Sequence, residues 1–221
     1  MEFDLQRCER DNITDMRYTG PRNRLARREG IDLGLKGVGS KAYASLMRRI
    51  NIKPGQRPNS RYGKLTEYGT QLREKQKIRR MYGLTESQLQ RYFQDASRKV
   101  GNTGELLVGQ LEARLDNVVY RLGFAPTRPS ARQLVNHGHF YLNKEKASVP
   151  SIHVNIGDVI SFKKDDSTKI PYIQDSIEKK DVTIPSWLDR KATIGKVVQN
   201  PGLDALVGDI NLQAVIEFYS R

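Results

Sequence analysis

Two adjacent stretches, residues 115–124 and 128–139, constrain the fold more than any other part of the chain. Each has apolar residues at helical spacing, so together they predict two short helices that bury one stripe each, ahead of a strand. Four polar side chains are predicted to face outward from these helices: Arg121, Arg128, Arg132 and Gln133. A basic outer face of this kind suits contact with phosphate groups and does not form a pocket for chemistry.

The positive charge of the chain is concentrated in one region. Lys and Arg number 38 against 25 Asp and Glu in 221 residues, a net charge of +13 that favours a polyanionic partner such as nucleic acid or an anionic membrane surface. Residues 16–100 carry 21 basic and six acidic side chains, whereas residues 101–221 carry 15 and 14. Because the charge is so uneven, it indicates a binding surface and not a general aid to solubility.

Two features bear on the compartment. No apolar run approaches the roughly 20 residues that a membrane-spanning helix needs, and the acidic start resembles neither a secretory signal nor a transit peptide. Cys8 is the single cysteine, which excludes an internal disulfide and a zinc site built from cysteines. We therefore expect a cytoplasmic protein.

The composition of the first 64 residues differs from that of the rest. Residues 1–15 are acidic and are expected to be disordered or to precede the true start, because Met16 opens a stretch typical of a mature N-terminus. Residues 17–64 are rich in Gly and basic side chains with little periodicity, a composition that orders poorly without a partner. We interpret them as a basic arm that folds against RNA. A free disordered tail is the alternative.

Helical spacing begins at residue 65. The apolar residues of 65–82 predict a helix that ends at Gly83. Thr85 and Gln88 form the signature of a capping box, which predicts the start of the next helix. Apolar residues then continue at helical spacing from 106 to 122, behind a cap at Asn102, which favours one helix over that whole range.

After Gly138 the spacing becomes that of strands. Residues 140–142 and 159–162 are predicted to be strands, with turn-forming residues between them. Residues 210–219 fit a helix and a strand equally well. The sequence alone does not decide between the two.

The sequence offers little for catalysis. His137, His139 and His153 are the only histidines, and a metal site would need further ligands at matching geometry. Asp165 and Asp166 form a carboxylate pair in a charged loop, where solvation would not tune them for acid–base chemistry. We therefore expect no enzyme, no bound metal and no cofactor.

The basic and aromatic side chains instead suit RNA. Arginine pairs with phosphate oxygens through two parallel hydrogen bonds and stacks on bases, whereas lysine supplies a mobile point charge. Tyr18 and Tyr62 are expected to stack on exposed bases, while the tyrosines in helices are more typical of a core. The predicted RNA contacts are Arg17, Tyr18, Arg22, Arg24, Arg27, Arg28, Arg57, Arg61, Tyr62, Lys64, Arg73, Lys75, Lys77, Arg79, Arg80, Arg121, Arg128, Arg132, Gln133, His137 and Lys144.

Several short motifs resemble one known family. They include residues 16–21 (Met-Arg-Tyr-Thr-Gly-Pro), 65–69 (Leu-Thr-Glu-Tyr-Gly), 79–83 (Arg-Arg-Met-Tyr-Gly), 101–105 (Gly-Asn-Thr-Gly-Glu) and 185–188 (Pro-Ser-Trp-Leu). The helix pair described above resembles the S-four RNA-binding domain. The motifs, which run in order along most of the chain, resemble the bacterial small-ribosomal-subunit protein family numbered four.

The resemblance implies an α+β fold. It would comprise a basic extended N-terminal arm, a helical domain, and an S-four (alpha-L) RNA-binding domain of helices packed on a small, mostly antiparallel sheet. The expected divisions are a leader at 1–15, the arm and helical domain at 16–112, the S-four domain at 113–176, and a segment at 177–221 that packs back on the helical domain.

The resemblance also implies a function. Such a protein would be a primary binder of 16S rRNA that nucleates assembly of the 5′ domain and contributes to translational accuracy. It would lie beside the protein numbered five and line the mRNA entry path, and relatives can repress their own operon. Within the arm, Arg22, Arg24, Arg27 and Arg28 would carry the RNA contacts.

The chain departs from relatives of this family at two places. Some relatives hold zinc through cysteines in the arm, but Asn23 and Ala26 stand at the positions of the first ligand pair, which implies the zinc-free type. Residues 143–145 read Asn-Lys-Glu where relatives usually have Asn-Gly-Lys. The sequence therefore does not decide whether a tight hairpin turn forms at these residues, because a two-residue type I′ turn favours glycine at its second position.

Alternatives remain at this point. An RNA-modifying enzyme or tRNA synthetase can carry an S-four domain but needs a separate catalytic domain. A stand-alone regulator, such as an RNA chaperone or mRNA repressor, is a further possibility.

Arg128 and Arg132 lie four apart on one helix face and are predicted to straddle phosphates. The alternative for this pair is structural, as ion-pair partners of Asp116 or Glu112.

Overall fold

The computed structural model of the chain describes residues 18–55, 65–163, 173–174, 183–202 and 210–221. Its helices are α1 (Arg22–Glu29), α2 (Lys41–Met47), α3 (Glu67–Tyr82), α4 (Glu86–Ser97), α5 (Thr103–Glu112), α6 (Leu115–Arg121), α7 (Arg128–Asn136) and α8 (Leu212–Tyr219). Its strands are β1 (Phe140–Leu142), β2 (Glu145–Ala147), β3 (Val159–Phe162), β4 (Leu188–Lys191) and β5 (Ile194–Val197). Helices and strands in these segments confirm the predicted α+β class. No helix in the described segments is both long enough and apolar enough to cross a membrane.

The basic arm contains two helices that the composition of residues 17–64 did not indicate. The helix α1 ends at Gly30, which adopts a left-handed conformation, and the Ser40 hydroxyl accepts a hydrogen bond from the Tyr43 backbone N–H at the start of α2. Ala26 and Leu46 are buried against the helical domain, each about 1% exposed. The expectation of little order missed these helices, because each is only two turns long and is stabilised by packing, α1 on α3 and α2 on α1, and not by its own periodicity.

Local signals place α3 and α4 where the sequence predicted them. Gly83 ends α3 in a left-handed conformation, and Thr85 and Gln88 form the predicted capping box of α4. A first apolar core joins the arm, α3, α4, α5 and the last helix, with Ile78, Leu89 and Leu107 fully buried in it. This core holds the helical part of the molecule together.

The predicted single helix over 106–122 is wrong, because the chain breaks at Arg114. This residue is extended, with φ −70° and ψ 138°, and its backbone bridges to that of His153. Val154 N–H donates to the Ala113 carbonyl, and Leu115 N–H donates to that of Ile152. The apolar spacing carries on across the break because residues on both sides are buried, so periodicity does not reveal it.

The sheet is antiparallel throughout, in the order β2-β1-β3-β5-β4. The helices α6 and α7 cover one face and form a second apolar core, in which Leu122, Phe124, Phe140 and Ile160 are fully buried. The predicted strands at 140–142 and 159–162 are confirmed. Asn143 and Lys144 both have positive φ, 52° and 71°, so the β1–β2 hairpin turns as type I′ without a glycine.

The chain after residue 183 divides between the two parts of the molecule. β4 and β5 extend the sheet through β3, which corrects the expectation that the whole of 177–221 packs back on the helical domain. Leu188 of β4 and Val197 of β5 are buried in the sheet core, together with Trp187 just before β4. Residues 212–219 form α8, which packs on α3 and α5. This segment, which fits a helix and a strand equally well by sequence, is therefore a helix.

Candidate nucleic-acid interface

A groove with basic walls lies where the arm, α3 and α7 meet, and it encloses about 300 Å³. Its lining contains seven arginines and one carboxylate, that of Asp116. The arginines are Arg22, Arg24, Arg28, Arg79, Arg80, Arg128 and Arg132. Apolar side chains, including Leu25, Leu35 and Met81, also line it. We call this feature the arginine groove. Positive charge enclosed between low-dielectric walls attracts anions strongly.

The arm side of the arginine groove is built around Glu29. The Glu29 side chain is fully buried, and its Oε1 accepts hydrogen bonds from the guanidinium groups of Arg73 and Arg80, so it fastens α1 to α3. Burial lowers the pKa of Arg80, and the positive charges of Arg73 and Arg28 lower it further. The negative charge of Glu29 raises this pKa but does not outweigh them, so the pKa lies below its ordinary value. The clustered positive charge is therefore only partly compensated within the protein.

Arg24 and Arg28 are the most open of the cations at the groove. Both side chains are exposed, and neither makes a hydrogen bond or ion pair with another residue that the structure describes. They are four residues apart on α1 and therefore rise from one face of the helix. Two unneutralised guanidinium groups at this spacing can each donate a pair of hydrogen bonds to phosphate oxygens.

The S-four side of the groove is built around a second buried carboxylate, that of Glu112. It accepts hydrogen bonds from Tyr82 Oη, from Asn117 Nδ2 at 2.7 Å, and from Arg121 Nε and Nη2 at 2.8 and 2.7 Å. Arg128 Nη2 lies 3.8 Å away. Burial alone lowers the pKa of Arg121, but the hydrogen bonds and charge of Glu112 outweigh it and raise that pKa. We call this set of side chains the Glu112 cluster.

The prediction that Arg121 and Arg128 face outward is therefore wrong. Arg128 is 7% exposed, donates from Nε to Asn117 Oδ1 at 2.8 Å, and lies against the rings of Tyr82 and Tyr120. The Arg121 side chain is 10% exposed and forms the bidentate pair with Glu112. The physical reason is charge pairing, since both guanidinium groups lie beside the buried carboxylate of Glu112.

A second ion pair stands beside the Glu112 cluster. Arg114 is 2% exposed, holds Asp116 with two hydrogen bonds of 3.1 and 2.9 Å, and donates to Tyr92 Oη at 2.7 Å. Arg132 Nη1 lies 3.5 Å from Asp116 Oδ2. Of the two alternatives for Arg128 and Arg132, the structure therefore shows contacts of the structural kind for both, although both also line the arginine groove.

Lys75 is a further predicted RNA contact that the structure places inside the protein. It is 5% exposed, pairs with Glu86 at 2.7 Å, and its Nζ lies 4.2 Å from the centre of the Phe218 ring on α8. This contact exists because the last helix covers that face of α3. Lys77 pairs with Glu74 at 2.6 Å, and Arg27 donates to the backbone carbonyls of Ile52 and Lys53.

The other predicted contacts fall into three groups. Gln133, His137 and Lys144 are exposed on the S-four part, as expected. Tyr18, Arg22 and Arg79 line the arginine groove. Arg17, Arg57, Arg61, Tyr62 and Lys64 lie outside the described residues, as do Asp165 and Asp166.

Of the two carboxylates that organise this region, sequence reasoning missed Glu29 and named Glu112 only as an alternative ion-pair partner of Arg128 and Arg132. Glu29 follows two arginines and Glu112 follows an apolar run, so each looks like an ordinary surface residue of a helix. A weak signal existed for Glu29, which is the only acid in α1. Within the described segments, no group of three or more His, Cys, Asp and Glu side chains could hold a metal ion. The zinc-free assignment stays a prediction.

Comparison with known families and proteins decides the family. The model described as the ribosomal protein S4/S9 N-terminal domain matches residues 17–112, and the S4 domain model matches residues 113–160. The chain belongs to the uS4 family of small ribosomal subunit proteins. This confirms the resemblance and the expectation of a ribosomal protein that is not an enzyme.

Individual uS4 relatives match along nearly their whole length. The small ribosomal subunit protein uS4 of Herpetosiphon aurantiacus is 49% identical over 211 residues, which cover 93% of this chain and 99% of that protein. The uS4 proteins of Geobacter sulfurreducens and Brevibacillus brevis are 47% and 45% identical with the same coverage. A match of this extent disfavours a stand-alone regulator or an RNA-modifying enzyme, because proteins of those two classes would share only the S4 domain with this chain.

Proposed function

We propose that this protein binds 16S rRNA directly, as a primary binder, and that the arginine groove is a principal contact. In this role it nucleates assembly of the 5′ domain of the small subunit. The proposed divisions are an acidic leader at 1–15, a basic arm and helical domain at 16–112, the S4 domain at 113–176 and a C-terminal segment at 177–221. This last segment adds β4 and β5 to the S4 sheet and packs α8 on the helical domain. The protein works in the cytoplasm, as part of the ribosome.

The observation that carries this proposal is the charge of the arginine groove. Seven arginines line a concave surface between the arm and the S4 domain, and two of them, Arg24 and Arg28, have no acidic partner among the described residues. Phosphate contacts supply most of the affinity in protein–nucleic-acid complexes, and guanidinium groups are well suited to them. Because the groove is formed by both parts of the chain, RNA held by the arm arginines would also lie against the S4 domain.

The finer expectations that depend on the uS4 family belong to the same proposal. The protein would lie beside the small-subunit protein numbered five, border the mRNA entry path, contribute to accuracy and be able to repress its own operon. The exposed Gln133, His137 and Lys144 offer a second polar surface on the S4 part, away from the buried arginines. A wide, shallow A-form minor groove can be contacted by such side chains.

The experiment that tests the proposal is a footprint on naked 16S rRNA with no other ribosomal protein present. We expect protection of a contiguous set of nucleotides within the 5′ domain, and none on large-subunit rRNA used as a control. Protection that appears only after other small-subunit proteins are added would contradict primary binding. Co-sedimentation with small subunits, compared with free protein, tests residence on the ribosome.

A further inference from the structure

The arginine groove is not lined by charge alone. The partly buried Leu25 forms part of its wall, backed by the core residues Leu35 and Met81, and Tyr18 also lines it. A site that held only phosphate groups would need no apolar wall and no aromatic ring. A mixed lining of this kind matches a ligand with both an anionic part and a flat, weakly polar part.

The ring of Tyr18 is held in place above the groove. The ring lies across Gly20, so close that a Cβ atom added to this glycine would be 2.7 Å from Tyr18 Oη. The hydroxyl donates to the Pro21 carbonyl at 3.4 Å. Tyr18 nevertheless stays 46% exposed. An aromatic ring that is anchored at one end, lines a groove and stays partly exposed is a platform on which a base can stack.

The size of the groove limits what can enter it. About 300 Å³ is at the small end of the range of about 300–1,000 Å³ for sites that enclose one small ligand. This leaves room for a single nucleotide and not for a double helix. Arg24 and Arg28 stand at the same opening, where they can hold the phosphates on either side of such a nucleotide.

We propose that the arginine groove receives one unpaired ribonucleotide of an RNA strand, with its base stacked on Tyr18 and its flanking phosphates held by the arm arginines. The protein would therefore select RNA in which a nucleotide is free to leave its helix. This inference rests on the proposed function, which requires only that the groove binds RNA. The inference goes further and specifies that the RNA bound in the groove contains an unpaired nucleotide.

The test uses the full-length Tyr18→Trp variant as a fluorescent reporter. Trp187 is the single native tryptophan and is buried in the sheet core, so the unsubstituted protein gives a constant background. Three probes are compared: a single-stranded RNA decamer, a blunt RNA duplex of the same length, and inorganic polyphosphate. We expect quenching of the new emission by the single strand and little change with the other two.

Affinity measurements separate stacking from charge. Tyr18→Leu is expected to weaken binding of the single strand by about 5- to 100-fold, the range for loss of one base–aromatic stack. Tyr18→Phe, which keeps the ring, should restore most of that loss. Gly20→Ala should weaken binding in the same direction, because a Cβ there displaces the Tyr18 ring. Tyr68→Leu is the matched control, since Tyr68 is 52% exposed but does not line the groove.

Two results would overturn the inference. One is equal quenching by the duplex or by polyphosphate, and the other is an affinity of Tyr18→Leu equal to that of the unsubstituted protein. Either result leaves the proposed function standing as long as the 16S footprint is found. Failure of the footprint itself would remove both.

Discussion

The arginines of the arm helix α1 and those of the S4-domain helices have opposite surroundings. Arg24 and Arg28 are exposed at the mouth of the arginine groove and pair with no other described residue. Arg121 and Arg128 are enclosed beside Glu112, which accepts two hydrogen bonds from Arg121 and lies 3.8 Å from Arg128 Nη2. The same residue type therefore serves two purposes, one open to a ligand and one internal to the protein.

The difference has an energetic reason. A guanidinium group that stays in water keeps its hydration and has no desolvation penalty. The arm can therefore present unpaired guanidinium groups to a polyanion. A buried guanidinium must be paired, because leaving it uncompensated costs several kcal/mol, roughly 3–5. The S4 side meets this requirement with directional hydrogen bonds from Tyr82, Asn117 and Arg121 to one carboxylate. Directional bonds fix the angle between the two parts more closely than apolar packing would.

The largest effect is expected at the centre of the Glu112 cluster. Glu112→Gln removes the negative charge that compensates Arg121 and Arg128, both of which stay buried. We expect the free energy of unfolding to fall by about 3–5 kcal/mol, measured by urea denaturation. Glu105→Gln on the same helix α5 is the control, since Glu105 is exposed and should change stability by less than about 0.5 kcal/mol. Equal losses in the two variants would mean that the cluster does not stabilise the fold.

Lys75 tests whether a buried cation of the helical part behaves like those of the S4 domain. Lys75→Met removes the bond to Glu86 and should lower stability by about 1–3 kcal/mol, without changing how RNA affinity depends on salt. Lys99→Met, at an exposed lysine, is the matched control. If Lys75→Met left stability intact but flattened the salt dependence, the lysine would contact RNA after all.

The smallest effect is expected at the β1–β2 hairpin. Lys144 has a positive φ of 71°, which is unfavourable for a residue with a Cβ. Lys144→Gly should therefore raise the free energy of unfolding by about 0.5–1 kcal/mol. Lys144→Ala removes the same charge but keeps the Cβ, so it should bring no gain. RNA affinity lost equally in both variants would identify Lys144 as a contact, independent of the turn.

The sequence predicted the features that depend on near neighbours. The end of α3 at Gly83, the capping box of Thr85 and Gln88, and the strands around Phe140 and Ile160 each involve residues a few positions apart. Burial of Arg128 could not be predicted in this way, because Tyr82, Glu112 and Tyr120, which surround it, lie 46, 16 and 8 residues away along the chain. The break at Arg114 could not be predicted either. That break depends in turn on the backbone of residues 152–154, which no local pattern reveals.

The central claim, that the arm arginines bind RNA while the S4-domain arginines hold the protein together, is tested by two matched double variants. Arg24→Gln with Arg28→Gln, and Arg121→Gln with Arg128→Gln, each remove two positive charges. For both, RNA affinity is measured across a range of salt concentrations, together with the free energy of unfolding. We predict that the first pair lowers the magnitude of the slope of log K against log salt by about one to two and leaves stability unchanged. The second pair should lose several kcal/mol of stability, roughly 3–5, and keep the slope. A flatter slope with full stability for the second pair, and an unchanged slope for the first, would contradict the account.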